Sequence, residues 1–184
     1  PGTTKLFGMN GPIRGTLFNE EIYETGAELN ANNFCNLAVE AEMAIEVDAG
    51  ANITSVFPII ELHNFVFRAP NKTLSELIAN NGLNRGLVTS AEIWKKPPDF
   101  YKNKLSLSLE INGSEIDSGE LWAMEGGPVS SLHWLQNHLA DHDLTILPGN
   151  IILGGTALGL YKVRAGDRID VKLDGEKAVH CVIN

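Results

Sequence analysis

Cysteine is scarce in this chain, with 2 in 184 residues. Cys35 and Cys181 both sit in apolar contexts, Phe-Cys-Asn-Leu and His-Cys-Val-Ile. Two cysteines exclude a disulfide framework and favour a reducing compartment, although a single bridge stays open on spacing alone. No apolar run approaches the roughly 20 residues of a membrane helix, and no signal peptide is recognisable. The expectation is a cytoplasmic protein without a membrane partner. Basic residues are also few: 14 Lys and Arg stand against 23 Asp and Glu, a formal charge of −9. That balance excludes a nucleic-acid backbone as partner and suits a cation. Long disorder and collagen are excluded by 43% hydrophobic and 20% charged residues, an ordinary globular composition. There is no internal repeat, no phosphate-binding Gly-Lys-Ser/Thr turn and no Gly-x-Ser-x-Gly elbow.

What is present reads as one mostly-β domain, residues 1–184, with a few helices. Residues 1–16 are rich in Gly and Pro and read as loop; 17–31 read as irregular or briefly helical. The clearest strand is Val39–Val47, where apolar odd positions alternate with Glu40, Glu42 and Glu46. Val56–Phe67 is a long apolar run broken by Glu61, His63 and Asn64, and periodicity leaves strand and helix both open. Thr73 is a candidate N-cap for a short helix over 74–78, and 87–93 is a candidate strand. Alternation around Asn112-Gly113 predicts a hairpin over 104–123, and around Asp174-Gly175 a second over 168–183. Ser130 or Ser131 is a candidate cap for a helix bearing Leu132, Leu135 and Leu139. Ile151–Leu153 reads as a short buried strand leading into the turn Gly154-Gly-Thr-Ala-Leu-Gly159.

Three constellations can carry chemistry. Glu40 and Glu42 lie i, i+2 and so share a strand face, about 7 Å apart at Cα. Glu61 interrupts an apolar run, and a buried carboxylate costs several kcal/mol unless it is paired or metal-bound. Three carboxylates select a hard ion such as Mg²⁺ or Mn²⁺. The same pattern is met by a solvated strand face with Glu61 paired to an arginine, and the sequence leaves both open. The turn at Gly155 and Thr156 can present backbone N–H groups and a hydroxyl to a carboxylate. His138 and His142 lie i, i+4 on the predicted helix, but Leu139 stands where a zinc protease carries Glu, so a wet surface is expected there.

These segments, taken in order, resemble the fumarylacetoacetate hydrolase superfamily, most closely its branch of 2-keto-4-pentenoate hydratases and 4-oxalocrotonate decarboxylases. The resemblance runs through Val39-Glu-Ala-Glu-Met-Ala44, Glu61-Leu-His-Asn64, Leu77-Ile-Ala-Asn-Asn-Gly82, Leu109-Glu-Ile-Asn-Gly113, Leu132-His-Trp-Leu-Gln-Asn137, Leu147-Pro-Gly149, Ile151-Ile-Leu-Gly-Gly-Thr156 and Ala165-Gly-Asp167. It does not include the helical N-terminal region typical of the branch. It implies an α+β, mostly-β fold, a mixed β-sandwich roll of the fumarylacetoacetate hydrolase C-terminal type. It implies Mg²⁺ or Mn²⁺ held by Glu40, Glu42 and Glu61, a 2-oxo acid substrate contacted at Gly155 and Thr156, and a homo-oligomer. Asn64 is implied to position substrate or water, and Lys5, nearest to the branch's Lys-x-Gly-Leu-Thr lysine, to line the pocket as a catalytic residue. The branch carries Pro-Asp-Phe-Gly, whose Asp moves protons; here the stretch is Pro12-Ile-Arg-Gly15, so Ile13 or Arg14 replaces that Asp. The activity implied is a metal-dependent hydratase or decarboxylase, slow or silent for want of the Asp. The alternatives are a related C–C hydrolase or 2-oxo acid decarboxylase, or a non-catalytic binder that keeps the metal site.

Overall fold

A computed structural model describes residues 11–67, 73–102 and 105–184. Lys5 therefore lies outside the described residues. Two mixed sheets make up the body. The first holds β1 (Ile22–Glu24), β5 (Asn84–Thr89), β4 (Ile53–Asn64), β3 (Leu37–Val47) and β8 (Ile151–Leu153) in that order, with β9 (Tyr161–Lys162) also on β3. The second orders β2 (Ala27–Leu29), β11 (Glu176–Ile183), β10 (Arg168–Leu173), β6 (Leu107–Ile111) and β7 (Ser114–Gly119). The pairs β1–β5 and β2–β11 are parallel and the others antiparallel. The expected mostly-β α+β class and sandwich architecture are what the molecule has.

Period-two alternation builds the core. Val39, Ala41, Met43 and Ile45 of β3, with Val56, Ile60 and Leu62 of β4, turn to one side. There they meet Leu107, Leu109, Ile169, Val171 and Val179 from the second sheet. Each such fully buried aliphatic contributes about 1.5–3 kcal/mol. The opposite face of the first sheet carries a smaller apolar cluster, Ala44, Phe57, Ile59 and Leu87, and it is this face that bears the polar groups described below.

Both predicted hairpins form. Asn112-Gly113 and Asp174-Gly175 all have positive φ, at 55°, 77°, 50° and 84°, which is the type I′ geometry that suits the twist of the flanking strands. The first hairpin ends at Gly119 rather than near 123, because residues 120–126 leave the sheet to enter a helix. The run at 56–67 is strand, ending at Asn64. Residues 17–31 form two short strands and one single 3₁₀ turn, with a second over Ala31–Asn33, because each strand finds a parallel partner that local sequence cannot reveal. The candidate strand at 87–93 starts earlier and stops at Thr89.

Helix α1 (Leu74–Ala79) is capped as expected, Thr73 Oγ1 accepting from Glu76 N. Helix α2 (Gly127–Ala140) starts before either candidate serine: Gly126, at φ 88°, is the cap, and Pro128 sits in the first turn, where its missing N–H costs nothing. Ser131 is buried inside the helix instead and donates to Gly154 O at 2.8 Å. His142 lies past the helix end, its ring edge-on to His138 with centroids 5.0 Å apart. Cys35 is exposed despite its apolar neighbours, Cys181 is buried, and both are free thiols; burial pushes the Cys181 thiol up to about 12. No described helix is long and apolar enough to cross a membrane.

The second sheet has one buried charge. Asp170 on β10 takes Arg168 Nε at 3.0 Å and Lys177 Nζ at 2.8 Å. Burial opposes its ionisation, but the hydrogen bonds and charges of Arg168 and Lys177 outweigh burial and hold the carboxyl below its usual range. A depressed folded pKa adds stability that is complete above the unfolded value, about 3.9, and is lost as pH falls through the folded value. Asp170→Asn should cost about 1 kcal/mol at pH 7, a modest figure because both partners are half exposed, and the cost should shrink toward the lowest pH. Urea unfolding of wild type and variant from pH 2.5 to 7 tests this; curves that stay parallel over the whole range would refute it.

Candidate metal centre

The strand pair β3–β4 sets the site through its register. Glu40 lies directly opposite Glu61, Ala38 opposite His63, and Glu42 opposite Ile59. Since i and i+2 share a face, Glu40, Glu42, Glu61 and His63 all project from the outer side of the first sheet. They form one wall of a cavity of about 1190 Å³. All four are buried, with Glu42 only 1% exposed.

Like charges placed opposite each other across strands repel, so the arrangement depends on what lies around it. Asn84 Nδ2, at the start of β5, donates to Glu61 Oε1 at 2.7 Å. Gly155 N donates to Glu42 Oε1 at 2.6 Å. His63 Nε2 lies 3.2 Å from Glu61 Oε2 and 3.5 Å from Glu40 Oε2. Burial, reinforced by the charges of Glu61 and Glu40, pushes the Glu42 carboxyl well above its usual range. Burial works against the His63 charge, but Glu61 and Glu40 outweigh it and raise the imidazole well above its usual value. Burial also opposes ionisation of Glu61, and His63, with hydrogen bonds from Glu42 and Asn84, keeps that carboxyl low. Without a metal, burial thus favours the protonated Glu42 carboxyl, while the neighbouring carboxylates favour the charged imidazole of His63.

The donor set fits a divalent cation. His63 Nε2 is buried and, though close to two carboxylates, has no hydrogen bond of acceptable geometry. One atom each from Glu40, Glu61 and His63 lie within 4.8 Å of one another. Octahedral Mg²⁺ at about 2.1 Å per ligand spans at most about 4.2 Å between opposite ligands, so small side-chain rotations close the shell. His63 was not singled out as a site residue from sequence. The signal was available: it lies two residues after Glu61 and, on a strand, shares its face.

The turn after β8 is fixed on several sides. Gly154 faces the Trp122 ring so closely that a Cβ there would lie 2.6 Å from Cζ3. Thr156 Oγ1 donates to Ala41 O at 2.6 Å and accepts from Leu158 N at 2.9 Å. Asp117 Oδ2 on β7 accepts from Gly159 N at 2.8 Å and Tyr161 Oη at 2.7 Å. Gly155 and Thr156 line the cavity, as do Ile13 and Arg14. Asn64 projects from the other strand face: its Oδ1 accepts from Cys35 N at 2.8 Å and Asn36 N at 3.2 Å, and it is not among the cavity's lining residues.

The fold is a mixed β-sandwich with a candidate cation site on one cavity wall, and comparison with known proteins gives the family. Residues 40–183 match the family described as Fumarylacetoacetate (FAA) hydrolase C-terminal, and the chain belongs to that family. It is 25% identical to a 2-oxo-hept-4-ene-1,7-dioate hydratase of Escherichia coli, over 92% of this chain and 70% of that protein. It is 31% identical to a 2-hydroxyhexa-2,4-dienoate hydratase of Comamonas testosteroni, over 92% of this chain and 69% of that one. Among solved structures, a 4-oxalocrotonate decarboxylase from Pseudomonas putida G7, complexed with magnesium and adipate, superposes with a TM-score of 0.90 at 22% identity, covering 100% of this chain and 74% of that one.

The charge states inferred here distinguish two substitutions. Glu42→Gln puts a neutral group where burial already favours the neutral carboxyl, so metal-free stability should change by less than about 0.5 kcal/mol. Glu61→Gln removes the main counter-charge of His63 and should cost about 2 kcal/mol, limited because the imidazole can shed its proton at pH 7. Urea unfolding in excess chelator decides the matter; equal losses for the two variants would contradict the assignment.

Proposed function

We propose that this chain is the catalytic core, a single domain, of a divalent-metal-dependent lyase acting on a small 2-oxo acid by hydration of a dienoate or by decarboxylation. The observation that carries the reading is the cluster of Glu40, Glu42, Glu61 and His63 on one cavity wall, with a buried imidazole nitrogen that lacks a hydrogen bond. Those residues would hold Mg²⁺ or Mn²⁺. A bound ion supplies Lewis acidity toward the charge that either reaction develops on the 2-oxo oxygen.

The chain's own groups have separable tasks. Gly155 N orients Glu42 and Asn84 orients Glu61, so the ligands are held before any cation arrives. Thr156 reaches a substrate carboxylate only if its hydroxyl turns away from Ala41 O, which makes that contact conditional on ligand binding. Asn64 acts through the Cys35–Asn36 turn that it pins. Lys5 is our candidate for proton transfer, with neither Ile13 nor Arg14 able to replace a carboxylic acid there.

Calorimetry with oxalate, a 2-oxo acid mimic, should show binding that requires Mg²⁺ or Mn²⁺. On the same preparation, 2-hydroxypenta-2,4-dienoate should lose its ultraviolet absorbance slowly, since positioned proton transfer contributes about 10²–10⁴-fold. No oxalate binding at saturating Mg²⁺ would remove the metal site. Fast dienoate hydration would instead overturn the consequence drawn from the missing Asp.

A further inference from the structure

Among the described residues, three buried side-chain nitrogen or oxygen atoms lack a hydrogen-bond partner: Arg14 Nη1, His63 Nε2 and Ser90 Oγ. Of these, His63 Nε2 stands 3.2 Å from Glu61 Oε2 and 3.5 Å from Glu40 Oε2, and the residue is only 9% exposed. A histidine acting solely as a counter-charge would aim its N–H at one of those oxygens. Here the nitrogen has two carboxylates beside it and a hydrogen bond to neither. Ligands about 2.1 Å from one ion lie about 3.0 Å apart at a right angle and about 3.4 Å apart at a tetrahedral angle. The two separations at His63 are therefore close to those of neighbouring ligands that share an ion.

The strands hold the ring in that place. His63 pairs with Ala38 on β3, whose methyl leaves room for the imidazole, and with Asn84 on β5. The pairing of β4 with β5 slips by one residue between Glu61 and His63. Such irregularities re-aim side chains and recur beside functional sites. Asn84, brought there, ties Glu61 Oε1 at 2.7 Å, and it is the other oxygen, Oε2, that lies beside the ring. Glu42 is outside the tight donor group, its Oε1 accepting from Gly155 N at 2.6 Å. That group is thus two carboxylates and one imidazole, whereas the family resemblance implies three carboxylates.

Resting on the metal-site reading above, we propose that His63 Nε2 is itself a ligand, so that the site selects a divalent ion with affinity for imidazole, of the class of Fe²⁺, Co²⁺ and Zn²⁺, over Mg²⁺. Mg²⁺ is a hard ion that takes oxygen ligands and keeps its waters. Imidazole suits the later first-row ions, whose affinity for nitrogen rises along the series. The Lewis acidity required of the ion is the same in kind, and what His63 changes is which ion supplies it.

The test uses protein stripped with chelator and two probes, Co²⁺ and Mg²⁺. Co²⁺ bound to wild type should give imidazole proton signals shifted far outside the diamagnetic range, and these should vanish when the histidine rings are deuterated. His63→Gln should abolish them; His138→Ala, which breaks the His138–His142 pair outside the cluster, should leave them. By calorimetry, His63→Gln should weaken Co²⁺ at least about tenfold more than it weakens Mg²⁺, since even groups that only support a ligand are worth about ten- to hundredfold in affinity. Retained Mg²⁺ binding shows that the variant is folded. Co²⁺ binding without shifted histidine signals overturns the proposal, as do signals that survive His63→Gln or equal losses for the two ions. Failure of both ions to bind wild type would reject the metal-site reading and this inference with it.

Discussion

Three carboxylates buried side by side on one strand pair are the constraint to which the rest of this molecule answers. Register alone brings Glu40 against Glu61, and alternation brings Glu42 to the same face. Removing even one charge from water costs several kcal/mol unless something compensates. Here compensation arrives from separate parts of the chain: His63 from β4 itself, Asn84 from β5, and the Gly155 amide from the turn after β8. The upward shift of the Glu42 carboxyl, which favours its neutral form, lessens the repulsion further. A divalent ion at this cluster would supply the positive charge that His63 otherwise provides.

The two faces of β3–β4 divide stability from chemistry. One face is packed on the second sheet through Val39, Ala41, Met43, Ile60 and Leu62. The other carries the acids over a small apolar patch. Because the strands are anchored by the first face, the second can hold groups that repel one another without losing position. Rigid elements also hold ligands more accurately than loops do. The long loops have the complementary task of bringing Arg14, Gly155 and Thr156 over that face.

The acidic cluster was legible in the sequence for a definite reason. Period two placed Glu40 and Glu42 together, and Glu61 stood out as a charge in an apolar run. His63 obeys the same arithmetic, but a histidine among apolar residues reads as a break in the run rather than as a fourth member of the set. The hairpins were legible because Asn-Gly and Asp-Gly specify a backbone geometry locally. The start of α2 was misread because Ser130 and Ser131 look like caps, whereas Ser131 is used across space to hold Gly154 O. The short strands β1 and β2 exist only through parallel partners more than sixty residues away in sequence, at β5 and β11. Hydroxyl commitments such as Thr156 to Ala41 O, and the missing partner of Arg14 Nη1, are properties of three-dimensional neighbourhoods that no pattern encodes.

The contact between Trp122 and Gly154 limits how this protein can change over generations. The indole occupies the space that a side chain at 154 would need, and the Met43 carbonyl closes the remaining side at 3.1 Å. The amide of the next residue, Gly155, orients Glu42. A mutation enlarging position 154 is therefore accessible only in a lineage that has already shrunk position 122, and it disturbs the carboxylate that the Gly155 amide orients. The order of substitutions, not only their identity, decides which descendants keep the site.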